Sequence, residues 1–529
     1  MADPLPIERV EPPLVERVET LHRRVLDAPP GLLEAFAAYE AALASDDLAA
    51  LDALFADSPT TLRGDSGGLL IGHRAIHDFR AARGGAPARG LADVRVIPLA
   101  DDAAAIVAVT APAAGGHGLQ TQVWRRDASG AWRVAAAHVS PPPAIFDATV
   151  WRVVGDPLVE PSMVGAGLPL AGETVAVKDL FAVAGHPIGA GVPEFLAESL
   201  AEAADSRAVA ALRAAGAAIR GIARTDQFAY SLAGDNPWYG TPVNAVVPGG
   251  LPGGSSSGSA TAVALGAASI GLATDTGGSV RVPASYQGLW GWRSTHGRVA
   301  AGGLLPLAVD FDAVGVLTRS ATLLAAVADV LLDGPPLVPE LSEVVLAAEL
   351  PELEPGVTEL FDAWVDDRLA GRAAVRLPDL ATAAEAFAVH QGFQAWQQYG
   401  SWLAGHPHAL RGAAAERFEA ASRISAEQDE RARAELARLR SEFDAALADR
   451  VLIIPSAAGP APKVWATAEQ VDAHRRATFR LTCIAGITGR PAVSVPLLQT
   501  PDGPLGVCVI GPRGSDEALI GVADRLARN

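Results

Sequence analysis

Lys178 is the side chain whose type and position most strongly suggest chemistry. The chain has 42 basic residues, and only Lys178 and Lys463 among them are lysines. Arginine stays protonated in proteins, whereas a desolvated lysine can lose its proton and serve as a base. Lys178 follows the apolar run 175–177, which is typical of a buried strand, and burial lowers the pKa of a lysine. A surface lysine with its amine in water is the alternative interpretation.

Two segments rich in glycine and serine form the second chemical feature. They read Pro-Gly-Gly-Ser-Ser-Ser-Gly-Ser-Ala over 252–260 and Ala-Thr-Asp-Thr-Gly-Gly-Ser-Val-Arg-Val-Pro-Ala over 273–284. Paired glycines allow backbone N–H groups to converge on one point, where they can hold an oxyanion. The stretch 261–272 between them is Ala-rich and apolar, and it predicts a connecting helix.

Other motifs explain these segments less well. Residues 254–258 fit G-x-S-x-G, the nucleophile elbow of α/β-hydrolases, but that elbow needs a strand directly before it. Here the preceding segment, 247–254, is full of proline and glycine. A flexible linker does not account for the ordered Thr-Asp-Thr-Gly-Gly-Ser element, and the chain has no phosphate-binding G-x-x-x-x-G-K-[ST].

The same segments resemble the amidase signature hydrolases, whose pattern is G-G-S-S-G-G-S followed by G-T-D-T-G-G-S-[IV]-R-x-P. The resemblance runs from about residue 153 to the C-terminus and includes the late segment 482–496. It implies an α/β fold with a mixed sheet covered by helices. By position, Lys178 matches the catalytic lysine of the family, Ser255 its bridging serine and Ser279 its nucleophile. The resemblance also implies an oxyanion hole at Thr276, Gly277 and Gly278.

These assignments are chemically coherent. A serine hydroxyl needs a base within hydrogen-bond reach to attack an amide, and neutral Lys178 can act on Ser279 through Ser255. The family resemblance further implies a cis peptide bond between Gly254 and Ser255. Ser256, Asp275 and Arg281 are expected to support the catalytic loops. No cofactor is expected.

Ser257 departs from the commoner family pattern, which has glycine there. Three consecutive serines look like the indole-acetamide-hydrolase branch, which also has a segment similar to Ala229–Pro242. This variant favours a small neutral amide, such as an aryl-acetamide, as the substrate.

The first 150 residues have a different sequence pattern and predict a separate α+β domain. An amphipathic helix is expected over 31–45 and a second short helix over 48–55, followed by short alternating strands near 94–98, 104–110, 120–126 and 132–139. Three prolines at 141–143 then break the pattern. We expect an N-terminal extension at 1–30, a first domain at 31–140, a linker at 141–155 and the amidase domain at 156–529.

This first domain resembles nuclear-transport-factor-2-like proteins, which are α+β cones, and among them the AtzH-like group. The matching text lies between residues 38 and 83. Members of the group decarboxylate an N-carboxylated urea, and their pocket tyrosine and arginine match Tyr39 and Arg63. An arginine can grip a carboxylate in bidentate fashion, and a tyrosine hydroxyl can donate a second hydrogen bond. A core tyrosine, a surface ion pair and a docking or dimerisation role for the domain are the alternatives.

Composition limits the possible partners. The net charge is −18 with no basic block, which argues against nucleic acid and anionic membranes. Two cysteines and the absence of an apolar leader or membrane-length run favour a cytoplasmic protein. The histidines lack metal-ligand spacing, so no metal is expected.

The sequence therefore predicts an amidohydrolase that cleaves a small carboxamide to carboxylate and ammonia, with homodimerisation open. The fused domain suggests a carboxylated biuret or urea as a second substrate class. An amidotransferase A-type subunit that delivers ammonia to an acceptor is the alternative enzyme. A receptor with an inactive amidase domain is a further alternative. It is less compatible with this sequence, because all three catalytic positions carry the residue types that the family uses.

Overall fold

The computed structural model describes residues 28–65, 68–83, 89–112, 118–140, 147–165, 167–332, 334, 337, 341 and 343–528. The chain divides into two compact units, Met1–Ile145 and Phe146–Asn529. The predicted extension 1–30 lies mostly outside the described residues. Among the described helices, none combines the length and apolarity needed to cross a membrane.

The first unit is a six-stranded sheet that shares one core with its helices. The helices are α1 (Leu32–Ser45), α2 (Leu48–Leu54) and α3 (His73–Arg83), and the strands are β1 (Leu62–Asp65), β2 (Gly68–Ile71), β3 (Arg89–Ala100), β4 (Ala103–Pro112), β5 (Gly118–Arg126) and β6 (Trp132–Ser140). The strand order is β2-β1-β6-β5-β4-β3, and every pair except β1 with β6 is antiparallel. The apolar faces of α1 and α2 supply Leu32, Phe36 and Leu51 to the core, as their helical spacing predicts. The α+β prediction is confirmed.

The second unit is built on an eleven-stranded mixed sheet in the order β14-β13-β15-β17-β16-β11-β12-β10-β8-β9-β7. Its strands are β7 (Trp151–Val159), β8 (Thr174–Lys178), β9 (Ala218–Ala223), β10 (Ile270–Asp275), β11 (Trp290–Arg293), β12 (Ala313–Thr318), β13 (Val344–Ala347), β14 (Ala373–Val375), β15 (Val451–Pro455), β16 (Ala492–Thr500) and β17 (Gly503–Ile510). Its helices are α4 (Pro193–Glu198), α5 (Arg207–Ala214), α6 (Ser257–Ala264), α7 (Arg281–Tyr286), α8 (Ala321–Leu331), α9 (Val357–Arg368), α10 (Leu380–Gly405), α11 (Gly412–Ala421), α12 (Ala426–Leu447), α13 (Ala468–Thr488) and α14 (Asp516–Arg528). The predicted mixed sheet with helices is confirmed.

The linker prediction needs one correction. Trp151 to Gly155 belong to strand β7, which pairs with β9 at the edge of the large sheet. The second unit therefore starts inside the segment 141–155 that the prolines marked as a linker. Apolar residues such as Val153 and Val154 are compatible with either state until a neighbouring strand supplies hydrogen bonds.

The predicted helix over 261–272 is also wrong in its second half. Helix α6 ends at Ala264, and Gly266 follows with a φ of +74°, a left-handed conformation that stops a helix. Residues from Ile270 onwards form β10 instead, between β8 and β12. Every residue of β10 is buried, so its Ala-rich apolar sequence carries no alternation that could distinguish it from a helix.

Strand direction brings the chemical residues together. Strands β8, β9 and β10 are mutually parallel, so their carboxyl ends lie at one edge of the sheet. Lys178 ends β8, Asp275 ends β10, and the segment after β9 begins at Arg224.

Candidate active site

Lys178 is completely buried at the end of a central strand. Its Nζ lies 2.9 Å from the hydroxyls of Ser255 and Ser256 and 2.8 Å from that of Thr274. An ammonium donates to all three, and a neutral amine donates to two and accepts from the third, because a hydroxyl can play either role. The pocket therefore accommodates both protonation states of the lysine.

Burial lowers the pKa of Lys178 from 10.5 to about 7. The carboxylates of Asp226, Asp312 and Asp275 oppose this shift, since a nearby negative charge favours the ammonium. A considerable fraction of Lys178 is consequently neutral at physiological pH. The arrangement can thus provide a base next to Ser255.

The bridging serine lies in a turn that the surrounding backbone defines closely. The Gly254–Ser255 peptide bond is cis, as predicted. The carbonyl of Ser255 accepts a hydrogen bond from Thr225 Oγ1 at 2.8 Å. A Cβ atom at position 254 would lie 2.3 Å from Asp226 Oδ2, so this position requires glycine.

Asp275 organises the loop that carries Ser279. Its carboxylate accepts hydrogen bonds from the N–H groups of Gly278 at 2.9 Å and Val280 at 3.1 Å. Arg281 contacts both carboxylate oxygens, at 3.0 and 2.8 Å. Burial alone would raise the pKa of Asp275, but the neighbouring guanidinium groups hold it well below its usual range. The loop is therefore tied to a permanent negative charge, as the supporting role of Asp275 and Arg281 predicts.

The geometry corrects one member of the predicted oxyanion hole. The N–H of Gly278 is directed at Asp275, so it is not free for a substrate oxygen. Among the described residues, no acceptor contacts the N–H groups of Gly277 or Ser279. The Thr276 N–H likewise has no acceptor among the described residues, and the Thr276 hydroxyl donates to Asp312 Oδ1 at 2.6 Å. The sequence pattern could not assign the acceptor of each N–H group in this loop.

Gly277 is packed against helix α13. A Cβ atom there would lie 2.5 Å from the ring of Phe479, and the carbonyl of Gly277 accepts a 2.6 Å hydrogen bond from Thr482 Oγ1. Helix α13 therefore fixes the loop in addition to Asp275.

The structure adds residues that sequence reasoning missed. Thr274 contacts Lys178, Asp226 approaches the serine turn, Asp312 receives the Thr276 hydroxyl, and Arg293 is a second buried arginine on Asp275. Thr274 lies inside the quoted motif and could have been found from it. The other three are far from the motif in sequence, and no local pattern identifies them.

Ser279 is buried in this loop with 4% of its surface exposed. Within the described part of the chain, Lys178 contacts Ser255 and Ser256 directly but not Ser279. Any proton transfer from Ser279 to Lys178 therefore has to pass through another group.

In the first unit, Tyr39 and Arg63 each have a partner of their own. The Tyr39 hydroxyl accepts from Arg80 Nη2 at 3.2 Å, and the ring packs edge-on against Trp124. Arg63 pairs with Asp65 at 2.7 Å. No described contact joins Tyr39 to Arg63.

A different buried polar cluster occupies the first unit. Arg89 Nη2 lies 3.1 Å from both carboxylate oxygens of Glu40 and 2.6 Å from Gln120 Oε1, and Gln120 also donates to Glu40 at 2.8 Å. Sequence reasoning did not identify these residues, because they come together only through the sheet.

Comparison with known proteins agrees with this geometry. A family model described as Amidase matches residues 162–355 and 394–520, and one described as AtzH-like matches residues 28–143. Amidase 1 of Arabidopsis thaliana is 32% identical over 407 residues, which cover 70% of this chain and 96% of that protein. Indoleacetamide hydrolase of Pseudomonas savastanoi is 41% identical over 158 residues, 29% of this chain and 34% of that protein.

Solved structures share the fold of the larger unit. One belongs to a vestigial protein complex that reveals the evolutionary origins of an s-triazine catabolic enzyme. It has a TM-score of 0.63 and 27% identity, and the match covers 68% of this chain and 84% of that one. The chain thus belongs to the amidase family, hydrolases that act on amides, and it carries an AtzH-like domain at its N-terminal end.

Proposed function

We propose that this amidase converts a small carboxamide to a carboxylate and ammonia through Lys178, Ser255 and Ser279. The observation that carries the proposal is the 2.9 Å contact between the buried Lys178 amine and the Ser255 hydroxyl. A lysine with its pKa lowered to about 7 by burial is matched to proton transfer at neutral pH.

The acylation step balances within these residues. Neutral Lys178 takes the proton of Ser255, and Ser255 takes the proton of Ser279. Ser279 Oγ forms a bond to the amide carbonyl carbon, and the carbonyl electron pair moves onto oxygen. When this intermediate collapses, the C–N bond breaks, and the proton returns through Ser255 to the departing nitrogen. Water then attacks the acyl-enzyme along the same proton path and releases the carboxylate.

The N–H groups of Gly277 and Ser279 are the proposed oxyanion donors. Gly277 lies two residues before the nucleophile, the Ser279 N–H belongs to the nucleophile itself, and neither N–H has another acceptor among the described residues. Loss of one such donor typically costs about 3–4 kcal/mol of activation free energy.

Two classes of substrate have support. The three consecutive serines and the 41% identity to an indoleacetamide hydrolase favour a neutral aryl-acetamide. The AtzH-like domain and the likeness to a structure from s-triazine catabolism favour a carboxylated biuret or urea. We place the aryl-acetamide first, because its support lies in the catalytic unit itself.

The AtzH-like domain is proposed to act as a dimerisation module. Tyr39 and Arg63 each have a polar partner within the domain, which supports a structural role for both. A decarboxylase of an N-carboxylated urea is the second candidate, supported by the family match.

Replacement of Ser279 tests the nucleophile. We expect Ser279→Ala to reduce ammonia release by about 10³-fold or more, because no acyl-enzyme can form. The measurement covers a panel from aryl-acetamides and fatty amides to biuret and carboxybiuret. Ser259→Ala is the matched control, since its buried hydroxyl bonds to Leu272 O instead. Glutaminase activity that rises with an added partner, with no release from these amides, would favour the amidotransferase.

The pH profile tests the base. Lys178 must be neutral to accept a proton, so kcat/KM should fall about tenfold per pH unit below pH 7 and level off above it. Lys178→Arg should be inactive at every pH, because a guanidinium stays protonated. A rate that keeps rising to pH 10 would show that burial does not lower the lysine pKa.

Tyr39→Phe and Arg63→Gln test the first unit. Both variants should retain wild-type amide hydrolysis, release no carbon dioxide from an N-carboxylated urea, and elute with twice the 54.3 kDa mass of the chain in light scattering. Wild-type carbon dioxide release that disappears in both variants would instead establish a second active site.

A further inference from the structure

The three consecutive serines differ in the groups that they contact. The hydroxyls of Ser255 and Ser256 both lie 2.9 Å from Lys178 Nζ. The hydroxyl of Ser257 donates instead to Asp226 Oδ1 at 3.3 Å. Ser257 is the position that departs from the commoner family pattern, and it is also the first residue of α6. Its side chain thus has a partner that glycine would not have.

Asp226 contacts the serine turn with both its backbone and its side chain. Its N–H donates to the Ser255 carbonyl at 3.3 Å. Its Oδ2 accepts from the N–H of Gly234 at 3.0 Å, which ties the turn to the segment after β9. The carboxylate also lies directly against Gly254, where a Cβ atom would clash with Oδ2. Asp226 is itself only 1% exposed, so these contacts exclude water.

We propose that Asp226 and Ser257 form a positioning pair that holds the Gly254–Ser255 turn and places a negative charge opposite Lys178. This inference rests on the proposed function, because it concerns the bridging role of Ser255. Neither side chain has a described hydrogen bond to Ser279 or to the Ser255 hydroxyl. They act through the position of Ser255 and through the charge state of Lys178.

The charges around the pair give it an electrostatic consequence. Asp226 faces Lys178 of β8 and also Asp235 and Ser231 of the following loop. Lys178 faces Asp226, Asp312 and Asp275. Burial and Asp235 raise the pKa of Asp226 to about 7, so Asp226 and Lys178 titrate in the same pH range, and the ionised Asp226 carboxylate raises the pKa of Lys178. Removal of this carboxylate should therefore favour the neutral amine.

The test uses a fluorophosphonate probe, which needs no knowledge of the natural substrate. Ser279 Oγ forms a bond to phosphorus and fluoride leaves, while the hydroxyl proton passes through Ser255 to Lys178. The rate constant for labelling Ser279 would be measured from pH 5.5 to 9 for wild type, Asp226→Asn, Ser257→Ala and the double variant. Ser259→Ala is the control, with a buried hydroxyl on the same helix that does not contact Asp226.

The inference predicts three results. Asp226→Asn should lower the plateau rate by about 10²-fold, because one of its two partners, the Gly234 N–H or the Ser257 hydroxyl, loses its carboxylate acceptor and the turn is held less firmly. Its acidic limb should also move to lower pH, an effect that a purely structural residue would not cause. Ser257→Ala should lower the plateau less, and the double variant should be no slower than Asp226→Asn alone.

Opposite results would overturn it. If Asp226→Asn kept the wild-type plateau rate and the wild-type acidic limb of the pH profile, the positioning role would be excluded. If the losses of labelling rate in the two single variants added up in the double variant, the pair would be excluded. If Asp226→Asn fails to fold, the labelling rates of Ser257→Ala and Ser259→Ala are compared instead. Equal rates in those two variants would exclude a role for Ser257. A wild-type Ser279 that resists the probe would overturn the proposed function and this inference together.

Discussion

Burial of the Lys178 amine is the constraint on which the active site depends. An unpaired ammonium in a protein interior costs several kcal/mol, so the group must have hydrogen-bond partners or become neutral. Ser255, Ser256 and Thr274 give it three hydroxyls, and hydroxyls can donate or accept as required. A base that gains and loses a proton in each cycle needs partners of this kind. Carboxylates in the same positions would fix the lysine in its charged form.

Asp275 is a buried group that stays charged, in contrast to Lys178. Two buried arginines keep its carboxylate ionised, and its remaining hydrogen bonds go to backbone N–H groups of the nucleophile loop. A buried ionic cluster is weak support for stability, but the hydrogen bonds of Asp275 fix the geometry of the loop around it. The site thus combines a lysine that titrates near neutrality with a carboxylate that does not titrate in the physiological range. The first supports chemistry, and the second holds the loop on which the chemistry occurs.

The AtzH-like unit has an independent core and its own buried polar groups. Glu40, Arg89 and Gln120 satisfy one another, and Tyr39 and Arg63 are likewise paired. Arg80 Nε and Gln122 Nε2, in contrast, are buried in this unit with no hydrogen-bond partner among the described residues. The groups that are paired contribute to the fold of the domain itself.

The sequence by itself determined which residue types occupy the ends of strands and the glycine-rich loops. Lys178 after an apolar run, the serine turn at 254–257 and the loop at 275–281 follow from short-range patterns, because residue type and spacing are local properties. The same holds for the α+β character of the first unit, since helical and alternating spacing are visible in the sequence. The family resemblance added the roles of the three catalytic positions and the cis bond.

Tertiary structure decided how those residues are supported. Asp226, Arg293 and Asp312 reach the site only because distant segments converge at one edge of the large sheet, and hydrogen-bond partners across such distances leave no local pattern. The Ala-rich stretch 261–272 could satisfy its backbone as a helix or as a buried strand, and pairing with β8 and β12 selected the strand for its second half. The acceptor of the Gly278 N–H could not be predicted from the sequence either. A backbone donor has many possible acceptors until the fold brings one within reach.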